Sequence, residues 1–393
     1  MLKSDDASCQ TALKGSCSTD AAKAHSPFAS EPCAVCCGHL QHALRAAHCT
    51  HADITAYCAN HSIPVMMTAV QKTGSCSTPF DCVQSRRVPV PAPGKEQALL
   101  RVASSSVNPC DADYVEGSFG GCSGGGGTLG SDVAGTVVKA GAGCRLKTGD
   151  RVWADENGFT GTDTGGMAEY AVVQCAQAGI APTSINLTAA GTIPLAGLTS
   201  VEAMQALGAP WTAANLTVVV TSGTGGTGYL GVQLAKAFGA ARVVTATSGA
   251  ANIALARSFG ADIVIDYKVQ DIFSALPDDS VDLVYDNYGA AGTADRAMPK
   301  IKVGGTYLIV PGGEGGRVSA HPRAGIHQLT FRGTASLTHA GLDVLAAQFD
   351  RTDALRLRPR LYAQVPLAEA KRAYALSATG DVVGKVAVVA GGG

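Results

Sequence analysis

Along this chain the spacing of hydrophobic positions changes twice. From Met67 to Val173, short apolar runs alternate with polar positions, the period-two signature of half-buried strands. MTAVQKTG opens this region, and Ala98 to Val107, within PGKEQALLRVASSSVNP, is its clearest strand. TLGSDVAGTVVKAGAGCRLKTGDRVWA, from Thr128 to Ala154, adds Val-rich strands separated by GxG and TGD turns, and GMAEYAVVQ (Gly166 to Gln174) adds another. Short strands spaced in this way predict a small barrel. At Leu187 the period becomes helical, in LTAAGTIPLAGLTSVEAMQALG. Strands and helices then alternate: a strand over Thr217 to Thr221, a helix after Gly228, a strand over Ala241 to Thr247, and a helix over Ala251 to Gly260. Further strands are expected at Ala261 to Tyr267, Val281 to Gly289 and Gly304 to Gly312, with Leu329 to Ser336 as the edge. That alternation implies parallel strands joined by helical crossovers, a doubly wound sheet. The tail returns to the barrel style with LRPRLYAQVPL, a helix in AEAKRAYALSATG, and VVGKVAVV.

The pattern predicts an α/β chain in three parts. Residues 1–66 form an extension, 67–186 and 338–393 a β-rich, barrel-like domain, and 187–337 a strand–helix domain that holds the glycine-rich turn. The stretch LTVVVTSGTGGTGYLGVQ (Leu216 to Gln233) carries the chemistry. It places a glycine-rich turn between a buried strand and an amphipathic helix. Glycines let the backbone turn tightly and approach a pyrophosphate without a Cβ in the way, and the helix N-terminus offers free N–H groups. In a chain with 48 glycines the run alone is weak, and the flanking strand and helix give it meaning.

Composition removes several classes. The net charge of −1 offers nothing to nucleic acid or an anionic membrane surface, and the 46 % of hydrophobic residues contain no run long enough to span a bilayer. MLKSDDASCQ lacks the apolar core of a secretory signal, so the 13 cysteines read as reduced thiols of an intracellular, cytoplasmic protein. The Ala/Ser-rich opening leaves an organelle transit peptide as the alternative address. EPCAVCCGHLQHALRAAHCTHADITAYCANH is dense in soft ligands. Cys33 and Cys36 with Cys49 and His51 would suit a tetrahedral zinc, or the segment is merely rich in Cys and His.

From about Met67 onward the chain resembles the medium-chain dehydrogenase/reductase superfamily, in its zinc-free quinone oxidoreductase branch. The segments that carry the resemblance are SSVNPCDADY, TLGSDVAGTVV, KTGDRVWA, GMAEYAVV, IPLAGLTSVEAM, TSGTGGTGYLGVQLAKAFGA, FGADIVIDY, DNYG and VVGKVAVV, in the family's order. The resemblance implies a GroES-like barrel beside a Rossmann domain, a homodimer, and a small quinone or α,β-unsaturated carbonyl as substrate. The zinc branch carries Gly-His-Glu where this chain has Gly130, Ser131 and Asp132, and ADENGFTGTDTGG lacks its run of cysteines. No active-site metal is therefore expected.

The resemblance also assigns site residues. Gly223, Gly225, Gly226, Thr227 and Gly228 form the cofactor cradle. Thr199, Asn287, Gly289, Gly384 and Lys385 fall at the nicotinamide end, with Asn108 against the ring or the substrate carbonyl. Asn108 has a second possible role, capping the turn before Pro109, and Asp111 reads as structural. Tyr114 is either a proton donor or a pocket wall. At the adenosine end the second strand finishes in Thr247, Ser248 and Gly249, without the carboxylate that NAD enzymes use. Ser248, Asn252 and Tyr267 are left to meet a 2′-phosphate, so NADPH is the expected cofactor. Ala251 stands where many relatives have a basic residue, and Lys268 is a possible substitute. Two other readings remain open. An enoyl-thioester reductase would carry a tyrosine where this chain has Phe119, and a non-catalytic assembly protein would use the extension for docking.

Overall fold

The computed structural model describes residues 63–117, 127–155, 165–311, 315–331 and 338–391. Two compact units are present, Met1–Met66 and Met67–Gly393, and the architecture below is that of the second. The Cys/His-rich segment, Phe119, and much of the loops GGCSGGGGTLG and ADENGFTGTDTGG lie outside the described residues.

β1 (Met66–Lys72) and β2 (Val83–Pro89) form a two-stranded ribbon. β3 (Gln97–Ser106) is the hub of a seven-stranded sheet, and most of its side chains are buried. It pairs antiparallel with β4 (Asp132–Ala140), β6 (Tyr170–Gln174) and β15 (Lys385–Val389). A strand flanked and covered in this way needs apolar or small residues on both faces, which ALLRVASSS supplies. α1 (Pro109–Glu116) leaves the end of β3; Pro109 occupies the first helical position, and Gly117 closes the helix at φ 82°. β5 (Arg151–Asp155) and β7 (Gly179–Ile180) complete that side of the sheet.

The helical stretch after Leu187 divides into α2 (Leu187–Ala190) and α3 (Pro194–Ala206). Pro194 has no N–H to continue the first helix but suits the first turn of a new one. Next come β8 (Thr217–Val220), α4 (Gly226–Ala237), β9 (Arg242–Thr247), α5 (Ala250–Ser258), β10 (Ile263–Asp266), β11 (Val281–Asp286), α6 (Thr293–Ala297), β12 (Ile301–Ile309) and β13 (His327–Thr330). Their six strands form one parallel sheet in the order β10-β9-β8-β11-β12-β13. The doubly wound α/β fold expected from the pattern is present, and the order reverses between β8 and β11, where such folds bind ligands. β12 begins at Ile301 rather than Gly304, because a shift in its pairing with β11 absorbs Gly304 and Gly305 inside the strand. The expected edge strand starts at His327, and its end beyond Phe331 is outside the described residues.

α7 (Ala340–Phe349) packs on α3, with Phe349 edge-on to Trp153 of β5 at 6.2 Å between ring centroids. One apolar core thus runs from the β-rich sheet through α3 and α7 to β8 and α4. β14 (Leu361–Pro366), α8 (Ala370–Ser377) and β15 return to the seven-stranded sheet, which therefore takes strands from both ends of the unit.

The cysteines correct the expectation of free thiols. Cys76 is bonded to Cys82 and Cys144 to Cys175, with Cα atoms 4.7 and 5.5 Å apart, and Cys110 is disulfide-bonded as well. The missing signal sequence had been the ground for reduced thiols; chain pairing brings these residues within bonding distance regardless of it.

Candidate active site

The cradle is built from backbone. β8 ends at Val220, the chain turns through Ser222 to Gly225, and α4 starts at Gly226, inside the stretch expected to be turn. The first N–H groups of α4 have no intrahelical acceptor. The glycines divide into two kinds. A Cβ on Gly228 would lie 1.6 Å from the Ser222 carbonyl oxygen, and one on Gly223 2.4 Å from Thr245 Oγ1, so these two are required for the turn itself. A Cβ on Gly225 would meet only Ser222 Oγ, at 3.4 Å. Gly225 therefore borders open space at a helix N-terminus, a fit for a pyrophosphate.

The end of β11 secures this turn. Asn287 Oδ1 accepts from Ser222 N at 2.9 Å, while its Nδ2 donates to Ser222 O at 3.0 Å and Thr227 Oγ1 at 3.1 Å. Asp286 is fully buried and accepts from Thr221 Oγ1 (2.8 Å), Gly289 N (3.0 Å) and Tyr307 Oη (2.5 Å). Burial beside Asp286 pushes the Tyr307 phenol far above its usual range. Ser200 Oγ of α3 lies 3.0 Å from Thr227 O and 2.9 Å from Ala196 O of its own helix, and the neighbouring Thr199 hydroxyl donates to Leu195 O at 2.8 Å.

At the other end of the cradle, Asn252 Nδ2 donates to Ser248 O at 3.0 Å. Tyr267 is 59 % exposed, and its N–H donates to Thr247 O. Asp266, the last residue of β10, accepts from Gly249 N at 3.4 Å and Lys268 N at 3.0 Å. A carboxylate thus supports the Ser248–Gly249 turn from the third strand, not the second.

Opposite the cradle lies a buried polar cluster. Asn108 (1 % exposed) donates from Nδ2 to Asp132 Oδ2 at 2.8 Å, Ser131 Oγ at 3.1 Å and Asp111 Oδ2 at 3.3 Å. Its own N–H donates to Asp111 Oδ2 at 2.9 Å, so at this turn it is the Asp111 carboxylate that caps the Asn108 backbone. Asp132 also accepts from Ser106 Oγ at 2.5 Å and Leu195 N at 2.7 Å. Lys385 Nζ donates to Val107 O at 3.0 Å and to Asn108 Oδ1, and stands 3.8 Å from Asp132 Oδ2. Burial pushes the Asp111 carboxyl up to about 7 and the Lys385 ammonium below its ordinary value. Gly384 N donates to Thr224 O at 2.8 Å, so the tail that delivers Lys385 rests on the cradle. Tyr114 lies apart: Lys72 Nζ sits 5.0 Å over its ring, and among the described residues no hydrogen bond joins its hydroxyl to the cluster.

These two assemblies match known proteins. Residues 94–183 fit the profile described as alcohol dehydrogenase GroES-like domain, and residues 226–348 that of zinc-binding dehydrogenase. The chain is 36 % identical over 228 residues to the NADPH-dependent alkenal/one oxidoreductase, chloroplastic, of Arabidopsis thaliana, covering 57 % of each protein. It is 32 % identical over 240 residues to the chloroplastic quinone-oxidoreductase homolog of Spinacia oleracea, covering 58 % of this chain and 69 % of that one. The chain belongs to the quinone oxidoreductase-like medium-chain dehydrogenases/reductases. The match spans less than two thirds of the Arabidopsis relative's own length. The solved structure of the quinone oxidoreductase from Coxiella burnetii superposes with a TM-score of 0.69 at 25 % identity, over 83 % of this chain and 99 % of that one.

The name of the second profile raises the question of zinc. At the element where the family's zinc branch carries Gly-His-Glu, Asp132 is fully committed to Ser106, Asn108, Leu195 and Lys385, and Ser131 to Asn108 and Asp111. Among the described residues one group has metal-ligand spacing, Cys76, Asp81 and Cys82, and its two cysteines are bonded to each other. This donor set does not fit a catalytic zinc. The family resemblance named segments but not the contacts within them. Asp132 entered the reading only as a missing ligand, and Asp286 and Asp266 did not enter it, although DNYG and IDY already displayed both.

Proposed function

We propose that this chain is an oxidoreductase that binds NADPH and reduces quinones or α,β-unsaturated carbonyls without zinc. What supports the reading most directly is the contact between the two assemblies: a dinucleotide cradle with open space at Gly225 adjoins a buried cluster that holds Asn108, Asp132 and an ammonium instead of metal ligands. When bound, NADPH supplies a hydride from C4 of its nicotinamide. Gly225 and the first-turn amides of α4 hold the pyrophosphate. Neutral donors at Ser248, Asn252 and Tyr267 are available to a 2′-phosphate at the end of the second strand, and the nearby Asp266 carboxylate is engaged by the Gly249 and Lys268 N–H groups. With no Lewis acid to polarise a carbonyl, acceptors that are already electron-poor are favoured. The alkenal/one reductase and quinone oxidoreductase names of the relatives agree with that class.

A homodimer and an organellar address belong to the same proposal. Exposed Leu329 on the edge strand β13 and the chloroplastic relatives support them, and no helix among the described residues is long and apolar enough to cross a membrane. The decisive experiment is a panel of quinones, enones and a crotonyl thioester with NADPH oxidation as readout. Turnover of quinones or enones is expected, and exhaustive chelation should leave it unchanged. A protein that reduces only the thioester, or nothing in the panel, refutes the reading.

A further inference from the structure

The position and partners of Lys385 do not suit a residue that contacts cofactor phosphate. An ammonium has three N–H donors. Here two are taken by Val107 O and Asn108 Oδ1, and the third side of the nitrogen faces Asp132 at 3.8 Å. The side chain is 4 % exposed. Two donors are spent on protein acceptors and the charge is paired with a buried carboxylate, a setting unlike that of a solvent-facing phosphate ligand.

The stem of the same side chain lies against the cradle. A Cβ built on Gly226, the first residue of α4, would stand 3.1 Å from Lys385 Cδ. Gly384 fixes the direction of approach: it sits at φ 87°, donates to Thr224 O, and has no room for a Cβ, which would lie 2.3 Å from Arg360 O. One side chain therefore touches the start of the cradle helix with its methylenes and Asn108 with its charge. Asn108 has rotational freedom that its own backbone does not remove; Asp132, Ser131 and Asp111 hold its Nδ2, and the ammonium is the partner that holds its Oδ1 and so fixes which way the amide faces.

We propose that Lys385 is a positioning residue that registers the phosphate cradle against Asn108, so that a cofactor held at Gly225 meets the Asn108 side of the site in one fixed geometry. The proposal rests on the NADPH reading above. It separates two properties that a phosphate ligand would join: affinity for the cofactor, set by the cradle backbone, and placement of the nicotinamide ring, set by how Lys385 holds the Asn108 cluster relative to the cradle.

The test replaces Lys385 by methionine, which keeps an unbranched stem against Gly226 and removes the charge. A second protein combines Lys385→Met with Asp132→Asn, so that no carboxylate is stranded if the single variant fails to fold. Three quantities are measured on the full chain: the NADPH dissociation constant by titration, the fluorescence enhancement of the bound nicotinamide, and kcat with a simple quinone. The expected result is a dissociation constant within about threefold of wild type, an enhancement reduced by half or more, and kcat lower by thirtyfold or more. A dissociation constant raised thirtyfold or more with enhancement per bound cofactor intact makes Lys385 a phosphate ligand and overturns the proposal. Wild-type values for all three overturn it equally. If the wild type binds NADPH but reduces no quinone or enone, the proposed activity falls while the two fluorescence measurements still decide the role of Lys385. A wild type that binds no NADPH sinks both.

Discussion

The cradle and the Lys385 cluster adjoin each other but are built from different material. The cradle consists of backbone: amides at a helix start, shaped by the absence of side chains at Gly223 and Gly228. The cluster consists of side chains from β3, β4, α1 and β15 whose charges and hydrogen bonds satisfy one another. A backbone site tolerates any change that leaves the turn intact. In a side-chain cluster, removing one member strands the rest, because a buried polar group without a partner costs more than its bond contributed.

Substitutions can break this contrast, and the largest effect is expected in the cluster. Asp132→Ala removes the acceptor of Ser106, Asn108 and Leu195 N and leaves the Lys385 ammonium without its carboxylate. A loss of about 3 to 5 kcal/mol in unfolding free energy is expected. Denaturation in urea measures it, and a loss below about 1 kcal/mol would mean the cluster is not cooperative.

Within the cradle the two kinds of glycine should behave differently. Gly228→Val drives a side chain into the Ser222 carbonyl and should cost about 3 kcal/mol of stability. Gly225→Val should melt like wild type and weaken NADPH binding about a hundredfold, roughly 2.7 kcal/mol. Equal destabilisation by both substitutions would remove the distinction between turn glycine and ligand-facing glycine.

The third effect is a pH dependence. Burial raises the Asp111 carboxyl from 3.8 to about 7 in the folded chain. Between those values the native state holds a proton that the unfolded state has released, so stability contributed by this group is lost as pH rises toward 7. Wild type should therefore lose about 2 kcal/mol more than Asp111→Asn between pH 5 and pH 8. Parallel pH profiles of melting for the two proteins would show that Asp111 is not the titrating group.

The adenosine end offers the smallest effect. Ser248→Asp adds a like charge beside a 2′-phosphate and should shift the ratio of kcat/KM for NADPH over NADH about tenfold toward NADH, roughly 1.4 kcal/mol. An unchanged ratio would place Ser248 away from the ribose.

The same contrast explains what the sequence disclosed. Backbone-built features leave a local signature: TSGTGGTG marked a turn between a strand and a helix, and the alternation of strands and helices around it implied the parallel sheet. The helical period from Leu187 was read as one stretch, although Pro194, where the structure starts α3, lay in plain view. The cluster left no such trace. Ser106, Asn108, Asp132 and Lys385 come from separate strands and turns, and no periodicity relates them. Family resemblance picked out Asn108 and Lys385 but could not show that they bond to each other, because that contact is created by the pairing of β3 with β15. The cysteines failed for a related reason: bonding of Cys144 to Cys175 depends on tertiary approach and not on the composition of the chain around them.

The pairing of β3 with β15 also has a consequence in time. Lys385 Nζ reaches the carbonyl of Val107 across 278 positions of sequence. At about 5 to 20 residues per second, roughly 15 to 55 s separate the synthesis of the two on the ribosome. Once β13 has emerged, before that interval ends, the parallel sheet has every strand it needs, whereas β3 still lacks its last neighbour and Asp132 its ammonium. The nascent chain thus acquires a place for the cofactor before it acquires the residue that orients Asn108, and the order of translation becomes an order of assembly for the site.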